Sequence, residues 1–102
     1  MKPILLVILL LLPINVFAVN VTIVNPAPQG NSFWDRVINI TKAAASDLNM
    51  NLDVVYANGN RRNQFNLIKQ ICNDKIKPDF LIISPWFGNA KKTFEMINQS
   101  KI

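Results

Sequence analysis

Histidine is absent from this 102-residue chain, and cysteine occurs once. Without histidine there can be no His-based triad, His-liganded metal site or zinc finger. One cysteine excludes a disulfide framework within the chain. Cys72 sits on an apolar helical stripe with no histidine to activate it, so it reads as a buried hydrophobe, not a nucleophile. Glycine is scarce as well. Gly30, Gly59 and Gly88 lie too far apart for a GxGxxG loop, and nothing matches GxxxxGK[ST]. The 6 Asp+Glu show no paired-carboxylate spacing. The 11 Lys+Arg give a formal net charge of +5. The basic pairs Arg61-Arg62 and Lys91-Lys92 are nonetheless scattered among acids and form no stripe, so nucleic acid is not an expected partner. These absences point away from an enzyme and call for no cofactor and no metal.

Apolar residues, by contrast, make up 50% of the chain and are densest at its start. Lys2 supplies a positive charge, Ile4 to Leu12 is an unbroken apolar run, Pro13 breaks it, and Val16-Phe17-Ala18 ends in a small residue. This is the three-part layout of a secretory signal peptide, residues 1–18, with cleavage expected after Ala18. The rival, a membrane anchor, is poorly served: the segment is short for a span and holds Pro3, Pro13 and Asn15. No cysteine follows to take a lipid. The expected product, residues 19–102, is exported, with no stable membrane insertion after cleavage.

The rest reads as three β-α units. Asn20 to Val24 is a β-branched run bounded by Asn25-Pro26-Ala27-Pro28-Gln29-Gly30. Ser32 is the expected N-cap of a helix over Phe33 to Leu48, with Asp35 in its first turn and Asn49 as its stop. Trp34, Val37, Ile38, Thr41, Ala44, Ala45 and Leu48 form its apolar stripe. Leu52 to Tyr56 reads as a second strand, and Arg61 to Asn73 as a second helix facing inward with Phe65, Ile68, Ile71 and Cys72. Phe80 to Ser84, nearly all apolar, suits a strand buried on both faces. Ala90 to Gln99 reads as a third helix, with Ala90, Phe94 and Ile97 inward. The predicted class is α/β with a Rossmann-like parallel sheet and helices on both faces. Three strands bury little core for a doubly wound domain, so the expectation is an incomplete lobe.

In such sheets ligands meet the loops at the carboxyl ends of the strands. The first loop combines amides with the Phe33-Trp34 pair. Amides pair with hydroxyls as donor and acceptor, and an aromatic face stacks on a sugar ring. Trp34 is equally placed to be core; Phe33, off the stripe, favours ligand contact. The third loop, Ser84 to Asn89, repeats the theme with Trp86 and Phe87, unless these plug the top of the sheet. The second loop, with Asn58, Asn60, Arg61 and Arg62, reads as a solvated rim.

Val21 to Pro26, Gly30-Asn31-Ser32-Phe33-Trp34, a helix ending Ala43 to Met50, and Lys77 to Pro85 together resemble the start of a type I periplasmic binding protein. The ribose-, galactose- and autoinducer-2-binding receptors belong to that group. The resemblance covers essentially all of residues 19–102 and implies a partial N-terminal lobe. Its implied function is reception of a small ligand, usually a sugar, in the periplasm. Delivery would go to an ABC importer, with a membrane sensor kinase as the alternative partner. A short stand-alone interaction protein is the other alternative. In sugar-binding members the first loop carries an Asn followed by an aromatic pair that contacts ligand. Asn31, Phe33 and Trp34 match that pattern, with Ser32 where Pro is common. Trp86 and Phe87 would face the same cleft. Family members are much longer, and their later ligand-binding groups have no counterpart here.

Overall fold

The computed structural model describes residues 17–102. Residues 1–16 of the expected signal segment, and the side chain of Phe87, lie outside what it describes. Among the described residues no helix is long and apolar enough to cross a membrane.

The elements run β1 (Asn20–Asn25), α1 (Ser32–Asp47), β2 (Asn51–Tyr56), α2 (Arg61–Asn73), β3 (Phe80–Ile83), a 3-10 turn (Phe87–Asn89) and α3 (Ala90–Ser100). All three strands are parallel in one sheet of order β2-β1-β3, as the repeated strand-helix alternation predicts. Val24 of β1 stands opposite Val55 of β2 and Ile83 of β3. On this face Val24, Ile68 and Cys72 form the buried centre, with Val55, Ile71, Leu81, Ile83, Met96 and Ile97 packed around it. Helices α2 and α3 therefore cover this face together. Val21 and Ile23 alternate to the opposite face. There α1 packs along β2 and buries Ile38 and Ala45. Helices thus lie on both faces.

Side-chain amides set the helix boundaries. The N-cap of α1 is Asn31, one residue before the expected Ser32: its side chain accepts the Trp34 N–H at 3.1 Å. Asn60 caps α2 in the same way, through the Asn63 N–H at 3.0 Å. Asn49 does end α1. It adopts φ 54°, its N–H donates to Ser46 O, and the Met50 N–H donates to Ala45 O. This is a Schellman closure with asparagine in the left-handed position.

Three expectations about burial are corrected. First, β3 is an edge strand covered on one face only. Phe80 and Ile82 are 60% and 44% exposed, while Leu81 and Ile83 join the core. An all-apolar run signals a strand with two faces to cover, but α1 lies along β2 and does not reach this side of the sheet. Second, Ala44 and Leu48 of the predicted α1 stripe are exposed: the helix buries Ile38 and Ala45 fully and Trp34, Val37 and Thr41 in part. Third, α3 turns Thr93, Met96 and Ile97 inward and leaves Phe94 exposed. Cys72 is buried, as its place on the stripe indicates.

Candidate functional site

The loops at the carboxyl ends of the strands are tied into one surface. After β1 the chain makes a turn in which the Asn31 N–H approaches Pro28 O at 3.4 Å, and Gly30 takes φ 98°. That dihedral sits where a type II turn wants glycine. The loop after β2 docks against this one: the Gly59 N–H donates to Pro26 O at 2.7 Å and the Ala57 N–H to Asn25 O at 2.8 Å. Asn58 and Gly59 both adopt positive φ to make that approach. The start of the loop after β3 is held from α2 instead. Gln64 is buried, and its Nε2 donates to the Ser84 carbonyl at 2.7 Å.

Asn25, at the end of the central strand, is fully buried. Its Oδ1 accepts the Ala27 N–H at 3.1 Å, which folds the chain back over β1, while its Nδ2 has no partner. A buried amide donor without an acceptor is costly, and the bond from Ala27 N–H to the same side chain offsets part of that cost.

The sequence-predicted residues fall into two groups on this surface. Asn31, Phe33 and Trp34 stand together at the amino end of α1. The Phe33 and Trp34 rings meet edge to face, 5.3 Å between centroids and 89° between planes. Phe33 is 64% exposed and Trp34 half-buried, so the pair offers one free aromatic face braced by a second ring. Asn31 spends its Oδ1 on the cap, leaving its Nδ2 as the polar group it can present. Asp35 stiffens the same corner by accepting the Gly30 N–H at 3.2 Å. Trp86 is half-buried on the wall of a groove of about 800 Å³ between the amino ends of α2 and α3, which none of Asn31, Phe33 and Trp34 lines. The groove also takes in Asn60, Arg61, Arg62, Phe65 and Lys92, of which sequence reading had assigned the two arginines to a solvated rim. Among the described residues no group of His, Cys, Asp and Glu could hold a metal ion.

Replacing Asn31 with alanine removes the α1 cap. We expect a loss of about 1 kcal/mol in denaturant melts, recovered by Asn31→Asp, which restores the acceptor.

The surface offers aromatic and amide contacts. The exposed ring stacks on an apolar ring face, and the amides exchange hydrogen bonds with hydroxyls.

Comparison with known proteins bears on the fold. No family model and no curated protein matches the chain. Among solved structures, a periplasmic sugar-binding protein from Pseudomonas fluorescens superposes with a TM-score of 0.77 at 25% sequence identity, covering 81% of this chain and 25% of that one. The present chain thus corresponds to about a quarter of that protein's length. The described residues have the α/β architecture of part of a periplasmic sugar-binding protein, and it is to that group that the chain is similar in structure.

Proposed function

We propose that the chain is part of an exported, non-enzymatic receptor that binds a small solute, with a sugar as the favoured class, and hands it to an ABC importer. Its three carboxyl-end loops would form one wall of the binding cleft. The observation that carries the reading is the half-free aromatic pair beside the Asn31 amide, set on loops that hydrogen bonds fix in advance. Preformed loops reduce the ordering cost of binding. The structural likeness to a sugar-binding protein supports the same class of ligand. Export and cleavage after Ala18 rest on the sequence of residues 1–18. A membrane sensor kinase is the alternative recipient.

Isothermal titration of the chain with a panel of aldoses tests the proposal. Saturable heat with at least one sugar is expected; no heat with any member refutes sugar binding by this chain.

A second reading, an interaction module, is favoured by the outer edge of β3, which pairs with no strand among the described residues and carries exposed Phe80 and Ile82. Such edges pair with other strands. Gel filtration separates the two readings. A monomer at micromolar concentration supports the receptor, whereas a dimer that dissociates on Ile82→Lys supports the module.

A further inference from the structure

We infer that the groove between the amino ends of α2 and α3 is an oxyanion subsite, so that the solute bound by this chain is an anionic sugar derivative bearing a carboxylate or a phosphate ester. The inference rests on the sugar reading above and adds a charge to it.

The groove collects positive charge with nothing to balance it. Arg61, Arg62 and Lys92 line it, and no acidic side chain does. Among the described residues the one ion pair is Lys91 with Glu95, at 4.0 Å and exposed on both sides, which leaves those three cations without acidic partners.

Their placement opposes helix stability. A helix amino end carries partial positive charge and favours acids in its first turn. Helix α1 follows this rule with Asp35. Helices α2 and α3 have no acid in the first turn; α2 opens on Arg61-Arg62, and Lys91-Lys92 directly follow the first residue of α3. Two helices that meet at one groove both break the rule in the same sense. An anion bound between them would reverse the penalty.

Two of the cations lie against neighbouring groups. A Cβ at Gly88 would come within 3.2 Å of Arg61 Nη1, so the guanidinium lies against the backbone of the loop after β3. Lys92 Nζ stands 5.1 Å from the Phe65 ring centroid, a cation–π distance. A guanidinium fork suits a carboxylate or phosphate, which it can grip with two parallel hydrogen bonds. Further donors stand at the same place. The Asn60 side chain caps only the Asn63 N–H, and α3 has no side-chain cap at all. The first amide N–H groups of α2 are left available to an oxyanion. Trp86, half-buried, lines the same wall. The groove's volume of about 800 Å³ accommodates a monosaccharide derivative.

The test is calorimetric titration of the chain with matched sets: glucose, glucuronate and glucose 6-phosphate; galactose, galacturonate and galactose 6-phosphate; ribose and ribose 5-phosphate. In at least one set the anionic member should bind about tenfold or more tightly than the neutral one, and the gap should narrow in 0.5 M NaCl, since charge pairing is screened. Whether the uronate or the phosphate ester leads identifies the oxyanion. Arg61→Gln and Lys92→Gln, both at exposed positions, should each reduce the preference of the anionic over the neutral member about fivefold or more. Equal binding of neutral and anionic members, or a preference that survives both substitutions, overturns the oxyanion subsite and leaves the sugar reading intact. Absence of binding across every set overturns both.

Discussion

Ile68→Ala should lower the stability of the protein by about 4 kcal/mol and its melting midpoint by roughly 15 °C or more. Ile68 is completely buried, at the centre of the cluster where α2 crosses β1 between Val24 and Cys72. Truncation removes three carbons from a site walled by the sheet on one side and by α3 on the other. Collapse into the space would have to move one of them. A domain of this size holds only ~5–10 kcal/mol of net stability, so this one side chain carries a large share. Ile40→Ala and Leu48→Ala are the controls: Ile40 on α1 and Leu48 at its C-cap are both mostly exposed, and each change should cost under about 0.5 kcal/mol. Urea melts of the three variants decide. An Ile68→Ala cost no greater than that of the exposed pair would show that the core does not lie between α2 and β1.

Phe33→Ala should weaken sugar binding about tenfold or more while leaving the melt unchanged within about 0.5 kcal/mol. Phe33 is mostly exposed, so its removal takes little from the core. It does remove the free aromatic face and the edge-to-face brace on Trp34. An exposed aromatic that contributes to affinity and not to folding is what a ligand contact requires. Trp34→Ala is less informative, since a half-buried ring contributes to both. A Phe33→Ala protein with full affinity and reduced stability would place Phe33 in the packing of α1, not in the site.

Much of the fold is legible in the sequence because each element carries a local cause. The β-branched run Val21 to Val24 marks the central strand, and Asn49 marks the end of α1. The span Arg61 to Asn73 is read correctly at both ends from turn residues and apolar spacing. What sequence reading misses depends on partners. Gln64 lies four and eight residues before Ile68 and Cys72, on the same buried face, but a polar side chain hides that position from a hydrophobicity pattern. Only the Ser84 carbonyl explains why it is tolerated there. Ser32 looks like a cap by composition, yet Asn31 takes the role because the turn at Gly30 brings its Oδ1 to the Trp34 N–H. The apolar run at Phe80 to Ile83 predicts a strand and says nothing of which neighbours cover it.

The candidate site is legible only in part, for a related reason. The pairing of Asn31 with Phe33 and Trp34 is local, and the sequence shows it. The groove around Trp86 is assembled from two segments more than twenty residues apart, and only the crossover of α2 brings Arg61 and Arg62 to face Lys92.

The chain holds two tryptophans, Trp34 and Trp86, one in each of these two places. Their fluorescence therefore reports on the central claim directly. Titration of the chain with the aldoses and their uronates and phosphate esters should give a saturable change in tryptophan emission. Trp34→Phe and Trp86→Phe should each remove part of that change. Emission that stays flat with every sugar, in a protein that melts cooperatively, would contradict the account: the fold would stand, and the loops at the strand ends would not be a sugar-binding surface.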